Sequence, residues 1–192
     1  MARTKEFDPD LAVQRALEVF WARGYAATST QDLVEALGIN RSSLYGTFGS
    51  KRELYLRALE RYGGPPGLAG LAALQEPGPL RDRLREALLS YAEEDLDPGR
   101  SRGCFACNAG AELGPVDADV RRLVARSFDG VRDVLRGALT RARADGELHP
   151  DTDVEALASL LVVSIEGLRV VAKGARDRRL TEQAIDAIIA RL

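Results

Sequence analysis

The sequence is poor in the residue types that most often carry catalytic or metal chemistry. Its 192 residues include one histidine, two cysteines, one methionine and one tryptophan. Two cysteines and one histidine are too few for a disulfide framework or for a structural zinc site, which normally needs about four protein ligands. The sequence also has no phosphate-cradling glycine loop and no nucleophile with an evident base partner. We therefore expect no catalytic residue, no metal and no cofactor, and the two cysteines fit a reducing cytoplasm.

Long apolar runs are also missing. The longest strongly apolar stretch, residues 157–165, is far shorter than the roughly 20 residues that span a bilayer. Residues 1–10 are charged and lack the apolar segment of a signal peptide. Hydrophobic residues make up 45% of the chain and charged residues 29%, which suffices for a sizeable core and a wet surface. We expect a cytoplasmic protein with no membrane partner.

A strong excess of positive charge is absent as well. The net charge is -2, and residues 1–63 hold nine Lys and Arg against eight Asp and Glu, which leaves 18 against 21 for the remainder. This balance argues against a general nucleic-acid binder, whereas a sequence-specific one need show basic residues only locally. Arg3 and Lys5 lie in a short polar arm, residues 1–7, which either touches phosphates or keeps the terminus soluble.

One stretch, residues 30–48, has the pattern of two short helices joined by a tight turn. The apolar residues of its first half have the spacing of one helical face, and Gly38 supplies the permissive backbone that ends a helix. Asn40 can cap the second helix, in which Leu44 and Phe48 lie four residues apart and face inward. This order is typical of a helix-turn-helix, whose second helix can enter the DNA major groove. The alternative is a helical hairpin inside an ordinary bundle.

Helical patterns separated by Gly and Pro signals continue along the whole chain, and no run alternates as a strand does, so the predicted class is all-α. The clearest break is Gly-Gly-Pro-Pro-Gly at residues 63–67. It divides an N-terminal three-helix helix-turn-helix head, residues 1–62, from a larger helical body, residues 63–192. The predicted helices span residues 9–23, 30–37, 41–48, 51–62, 68–75, 80–95, 103–113, 118–144, 151–173 and 181–191.

Residues 8–60 carry a combined motif of apolar, aromatic, hydroxyl and glycine positions. Its members are, in order, Ala16-Leu17-Glu18-Val19-Phe20, Gly24-Tyr25, Thr28-Ser29-Thr30, Leu37-Gly38-Ile39, Leu44-Tyr45, Phe48, Lys51 and Leu54. This order closely resembles the N-terminal domain of tetracycline-repressor (TetR) family regulators. The chain departs from that pattern at Gly46 and Thr47, where family members often have an aromatic residue or histidine, so its recognition face is slimmer.

The resemblance implies a homodimeric transcriptional regulator that binds a double-stranded DNA operator, most simply a repressor released by a small-molecule effector. In such a complex the second helix lies in a major groove, and side chains divide into phosphate contacts and base contacts. The phosphate contacts would be Thr30, Gln31, Tyr45 and Lys51. The base-edge contacts would be Arg41, Ser42, Ser43 and Thr47, with Gly46 letting the backbone come close. Arg41 is the best candidate for sequence discrimination because a guanidinium can grip guanine O6 and N7 together.

The resemblance also assigns two roles to the body, ligand binding and dimerisation. In the family the last two long helices pack against their copies, which here would use Leu160, Val163, Leu168, Val171, Ile185, Ile188 and Ile189. The alternative is a central core helix in a monomer. An effector cavity inside the body would be lined, from helical placement, by Tyr91, Phe105, Asn108, Glu112, Phe128 and Arg169.

Two cysteines three residues apart, Cys104 and Cys107, leave a further alternative open. Arg100 and Arg102 and a helix N-terminus would favour the thiolate of Cys104, so a thiol-based redox-sensing regulator is possible on chemical grounds. Two small buried packing residues would give the same pattern. A zinc site would have only His149 to add. An alternative of another class is a helical enzyme or a ligand-binding protein without a DNA role.

Overall fold

The computed structural model describes residues 7–192, and every regular element in that range is a helix. The predicted all-α class is therefore confirmed. The arm with Arg3 and Lys5 lies outside the described residues. In the described part no helix is long and apolar enough to cross a membrane. The elements are α1 (Pro9–Arg23), α2 (Thr30–Leu37), α3 (Arg41–Phe48), α4 (Lys51–Tyr62), α5 (Pro65–Leu68), a 3₁₀ helix (Ala69–Gln75), α6 (Leu80–Leu96), α7 (Phe105–Leu113), α8 (Ala118–Ala144), α9 (Val154–Ala175) and α10 (Arg178–Ile189).

The first four helices begin and end where their capping residues predict. The Asp8 carboxylate accepts the backbone N–H of the second helical residue at 2.8 Å, with proline at the first position. Ser29 forms a capping box with Asp32, and Asn40 accepts the N–H of the third residue of α3 at 2.8 Å. Gly38 adopts the left-handed conformation with φ +67°, which ends α2.

Later boundaries differ from the predictions because local hydrogen bonds override the Gly and Pro signals. Helix α4 ends at Tyr62 as expected, yet α5 begins three residues later at Pro65, a position where proline costs no hydrogen bond. Helix α7 begins at Phe105 instead of 103, since Gly103 has φ +69° and donates its N–H to Asp95 at 2.7 Å. The carboxylate of Asp177 caps α10 and starts it three residues before the predicted position.

The chain forms two compact units. The first unit comprises the residues up to Pro66 together with Phe105–Ala125, and the second comprises Gly67–Cys104 and Arg126–Leu192. The first unit thus contains α7 and the start of α8 in addition to α1–α4. The division between residues 62 and 63 stays a prediction about independently folding domains.

An aromatic cluster forms the core of the first unit, where α1 packs on α4. The ring of Tyr55 lies edge-on to Phe20, with 5.0 Å between centroids, and to Phe105, with 5.6 Å. Phe105 also meets Tyr62 edge-on at 5.6 Å. Because Phe105 comes from α7, this helix completes the core beneath the helix-turn-helix. Edge-to-face pairs of this kind stabilise by about 0.5–1.5 kcal/mol beyond their area burial.

The second unit is built around α6 and α9, with α10 and the 3₁₀ helix packed on α6. Its core is largely leucine and alanine. A buried ion pair crosses this core, in which Arg169 of α9 donates to Asp95 of α6 at 2.9 Å. Burying these two charges requires close pairing and further hydrogen bonds, because each loses its hydration. The pair therefore fixes the mutual register of α6 and α9.

Candidate nucleic-acid interface

Helix α3 presents a polar outer face and buries its apolar one. Leu44 and Phe48 are buried, as their spacing predicts. Among the side chains predicted to face base edges, Arg41 and Ser42 are exposed, whereas Ser43 and Thr47 are half-buried. Tyr45 and Gly46 are also exposed. The geometry leaves Arg41 and Ser42, at the N-terminal end of α3, as the base-facing candidates with the most accessible side chains.

The first residue of α2 meets the outer face of α3 through a pair of hydroxyl groups. Thr30 Oγ1 and Tyr45 Oη lie 3.2 Å apart. The Arg41 guanidinium lies 5.6 Å from the centre of the Tyr45 ring. Hydrogen bonding from Thr30 and then from Arg41 lowers the pKa of Tyr45 below its ordinary value. Two hydroxyls and one cation thus converge at one exposed point, where they can donate to a phosphate oxygen.

Lys51, predicted to contact a DNA phosphate, binds backbone carbonyl groups of the protein itself. Its ammonium donates to the carbonyl oxygens of Tyr25 at 2.8 Å and Thr28 at 2.5 Å, and it lies 4.2 Å from the centre of the Tyr25 ring. An ammonium has three donors, and two of them are used inside the protein. The structure therefore gives Lys51 a role in holding the turn between α1 and α2. The remaining phosphate candidate, Gln31, is exposed and donates to Glu35 at 2.8 Å.

Much of the remaining charge near the interface is paired within the first unit. Arg52 of α4 donates to both carboxylate oxygens of Asp117, at 2.8 and 2.9 Å, and to Asp119 at 2.7 Å. The neighbouring guanidinium lowers the pKa of Asp117 from its ordinary value of 3.8 to about 2. Arg23 similarly donates to Asp32 at 2.6 Å. Because these other charges are paired with each other, Arg41 is a local positive charge on the surface even though the head as a whole is nearly neutral.

The pocket residues predicted in the first unit have structural contacts. Phe105 is buried against Tyr55 and Tyr62 in the aromatic core. Glu112 accepts backbone N–H groups of the turn between α1 and α2. Asn108 is half-buried on α7. Phe105 and Glu112 were both expected to line an effector cavity. In the structure Phe105 instead packs in the core, and Glu112 anchors the turn between α1 and α2.

In the second unit the structure brings Tyr91 and Arg169 together in a filled cluster. The Arg169 guanidinium lies 4.7 Å from the centre of the Tyr91 ring and donates to the Gly103 carbonyl at 2.9 Å, in addition to Asp95. Burial raises the pKa of Tyr91 above its ordinary value, and its hydroxyl donates to the carbonyl of Gly67 at 3.2 Å. These contacts account for both side chains without a ligand.

Phe128 lines a cavity of about 110 Å³ together with Ser159 and Val162. Ligand sites usually measure about 300–1,000 Å³, so this cavity is too small for an effector of ordinary size. A groove of about 860 Å³ in the same unit is lined mainly by charged side chains, and none of the six predicted pocket residues is among them. Its lining is Asp82, Arg85, Glu86, Leu89, Ser90, Glu93, Glu94, Asp97, Arg100 and Arg178.

The residues predicted for a dimer interface divide into exposed and buried ones. Leu160 and Val163 are 60% and 71% exposed. Leu168 and Ile185 are instead buried in the core of the second unit, so their assignment to a subunit interface is corrected. The other three, Val171, Ile188 and Ile189, are half-buried.

Helix α9 has an exposed seam that the sequence analysis did not identify as a set. Its side chains follow one another at alternating intervals of four and three residues: Ala156, Leu160, Val163, Gly167, Val170 and Gly174. That interval keeps one stripe of a helix facing a partner helix. The signal was available in the sequence, but apolar residues on the opposite, buried face of α9 obscured it.

The two cysteines lie in different environments. Cys104 is buried and Cys107 is half-buried, and neither is in a disulfide. Within residues 7–192 no group of three or more His, Cys, Asp or Glu side chains is arranged to hold a metal ion.

An exposed helix after a glycine turn, with a hydroxyl-rich helix start beside it, defines the first unit as a helix-turn-helix DNA-binding module. Comparison with known proteins identifies its family. Residues 13–58 match the family described as bacterial regulatory proteins, tetR family, and residues 82–188 match the tetracyclin repressor-like C-terminal domain. The chain belongs to the TetR family of transcriptional regulators. It is therefore not an enzyme, and the helical-enzyme alternative is rejected.

Individual relatives are similar in sequence to this protein along almost its whole length. The chain is 37% identical to the HTH-type transcriptional regulator YezE of Bacillus subtilis, over 97% of this chain and 96% of that protein. It is 32% identical to the HTH-type transcriptional repressor ComR of Escherichia coli, over 95% and 88%. Among solved structures, this chain is similar to a cysteine mutant of the TetR-family regulator CifR in complex with 26-base-pair operator DNA. The two sequences are 34% identical, the match covers 96% of this chain and 99% of the CifR chain, and the TM-score is 0.81.

Proposed function

We propose that this TetR-family regulator is a cytoplasmic homodimeric repressor, which binds a near-palindromic operator through α2 and α3 and is released by a small molecule. The observation that carries the DNA role is the exposed face of α3. There Arg41 and Ser42 face outward beside the hydroxyl pair of Thr30 and Tyr45. The names of two relatives support this proposal, since ComR is called a repressor and CifR was solved on operator DNA.

Residues of the helix-turn-helix divide by role in this proposal. Thr30, Gln31 and Tyr45 contact phosphates and set the register, since Gln31 and Tyr45 are exposed and the hydroxyl of the half-buried Thr30 lies 3.2 Å from that of Tyr45. Arg41 and Ser42 approach base edges. Ser43 and Thr47 contribute smaller contacts because both are half-buried. Lys51 acts indirectly, by holding the turn before α2.

The dimer contact of the proposal is the exposed seam of α9. A stripe of medium and small side chains allows two copies of the helix to approach closely, and Leu160, Val163 and Val170 supply its apolar surface. A dimer of this kind presents two α3 helices to half-sites about 34–36 Å apart, one turn of DNA. Val163→Glu would place a charge in the seam, so we expect it to yield monomers in analytical ultracentrifugation, with folding retained.

The trigger for release is assigned to a small molecule, and a thiol-based trigger is the second candidate. The difference in exposure of the cysteines supports testing the second candidate, because Cys107 is half-buried and Cys104 is buried. Thiol titration of the native protein should modify Cys107 first. Operator binding that is unchanged by oxidant would eliminate the thiol trigger and leave the small-molecule trigger in place.

Selection from a randomised duplex library tests the DNA role itself. The full chain should enrich a near-palindromic sequence, and a gel shift with that duplex should show a complex whose stoichiometry is two chains per site. Failure to enrich any sequence, with binding indistinguishable among random duplexes, would reject the proposed function.

A further inference from the structure

The turn between α1 and α2, residues 24–28, is held by charged side chains from two distant parts of the first unit. Its carbonyl oxygens accept from Lys51 of α4. Its N–H groups are bound by Glu112 of α7, which accepts from Tyr25 at 2.9 Å and from Ala26 at 2.7 Å. Each of the two carboxylate oxygens of Glu112 thus takes one N–H. Hydrogen bonds to an ionised acceptor are about twice as strong as neutral ones.

Gly24 leaves the space that this contact needs. It has φ +81°, in the region that side chains disfavour, and it ends α1 by donating its N–H to the Phe20 carbonyl at 2.8 Å. A Cβ atom at this position would lie 3.1 Å from Oε2 of Glu112. The backbone conformation and the close approach of the carboxylate therefore favour glycine for two separate reasons.

The anchored turn determines where α2 begins. Thr28 is buried, and its hydroxyl donates back to the Gly24 carbonyl at 2.6 Å, which closes the turn. Ser29 follows as the capping residue of α2. The next residue is Thr30, whose hydroxyl meets Tyr45 of α3. Displacement of the turn would consequently move the phosphate-contacting end of α2 relative to α3.

We propose that Glu112 is a positioning residue for DNA binding. It lies in α7, 86 and 87 residues away in sequence from the two amides that it binds, and it fixes the turn that places the N-terminus of α2. This inference rests on the proposed DNA role and adds to it a residue outside the helix-turn-helix. Because Glu112 acts through Tyr25 and Ala26, it need not touch DNA.

The direction in which Glu112→Gln changes DNA affinity distinguishes a positioning role of Glu112 from a simple effect of its negative charge. Removing a negative charge from a DNA-binding protein favours association with phosphates by electrostatics alone. In Glu112→Gln the amide keeps one acceptor oxygen but turns an NH₂ donor toward the second backbone N–H. Weaker binding by this variant is therefore opposite to the electrostatic effect and follows from loss of the anchored turn.

The experiment compares full-length wild type, Glu112→Gln, Glu112→Ala and a control, Glu60→Gln, on the duplex selected by the wild type. Glu60 is exposed on α4 of the same unit, so the control makes the same charge change away from the turn. Affinity is measured for the selected duplex and for a scrambled one, below the melting transition of each variant. Amide hydrogen exchange at residues 24–30 is measured in parallel without DNA.

We expect Glu112→Ala to lose about tenfold in affinity, the loss that follows if only a tenth of the molecules hold the competent turn. Both duplexes should be affected alike, because the turn sets a phosphate contact. Glu112→Gln should show a smaller loss, and Glu60→Gln none. Exchange should accelerate at Tyr25 and Ala26 in both Glu112 variants.

Wild-type affinity in both Glu112 variants would overturn the inference, and so would tighter binding by Glu112→Gln. A further outcome would also overturn it: the Glu112 variants lose protection from hydrogen exchange equally throughout the first unit, and their DNA affinity falls only in proportion to the folded fraction. Glu112 would then have a general stabilising role. If Glu112→Ala does not fold, Glu112→Gln decides. Failure of the wild type to select any duplex rejects the proposed function instead, and the exchange measurement still reports on the turn.

Discussion

Replacing Lys51 with methionine distinguishes two explanations for a lysine at the edge of a helix-turn-helix. Methionine keeps most of the apolar stem and removes the ammonium. The side chain is half-buried and makes two hydrogen bonds to backbone carbonyls, of Tyr25 and Thr28. Hydrogen bonds to a charged group contribute about 1.5–3 kcal/mol each, and partial exposure favours the lower end. We expect Lys51→Met to lower the free energy of unfolding of the first unit by about 3 kcal/mol.

Two measurements on this variant separate stability from phosphate contact. The only tryptophan, Trp21, packs on Tyr62 with 5.0 Å between ring centroids, so its fluorescence in urea follows the unfolding of the first unit. The slope of log affinity against log salt reports phosphate contacts, at about 0.9 for each one. We expect the unfolding midpoint to fall and the slope to stay the same. A slope reduced by about 0.9 with unchanged stability would refute the structural role of Lys51 and restore it as a phosphate contact.

Three further predictions concern the same unit. Arg41→Ala should relax the sequence preference in a randomised operator selection, by about 1–3 kcal/mol at one base pair, because it removes the exposed guanidinium of α3. Gly46→Ala should stabilise the unit by about 0.5–1 kcal/mol in the tryptophan assay, since a Cβ there has no atom within 4 Å, while operator binding weakens. The pKa of Asp117 is lowered to about 2 from 3.8, so its contact with Arg52 stabilises the fold above pH 3.8 and is lost as the pH falls toward 2. The melting temperature should decline over that range, and Asp117→Asn should flatten the decline.

The helix-turn-helix could be predicted from the sequence because its determinants are local. Asn40 caps the helix that starts one residue later, and Gly38 ends the helix just before it, so each boundary depends on neighbours within a few residues. The inward side chains Leu44 and Phe48 follow from helical spacing alone. Bounds of the four N-terminal helices therefore matched.

Contacts between distant parts of the chain could not be predicted in this way. Glu112 was assigned to an effector cavity because its helical position suggested an inward polar group, whereas its partners are backbone amides that carry no sequence signature. Lys51 was assigned to phosphates through the family resemblance, and no sequence pattern shows that two backbone carbonyls lie within reach of its ammonium. In α9, apolar residues surround most of the helix, so hydrophobicity did not separate the buried Leu168 from the exposed Val170.

The glycine in the middle of α3 indicates how the slim recognition face is used. Gly46 does not have a positive φ, and a Cβ atom there would meet nothing within 4 Å, so the fold does not need glycine at this position. Glycine inside a helix costs about 0.5–1 kcal/mol relative to alanine. Since the fold supplies no reason for glycine here, we propose that Gly46 serves the partner, by allowing close approach of the α3 backbone to DNA. In this proposal the approach brings Arg41 nearer to the base edges and the hydroxyls of Thr30 and Tyr45 nearer to the phosphates, so a few contacts can provide specificity on a domain with little net positive charge.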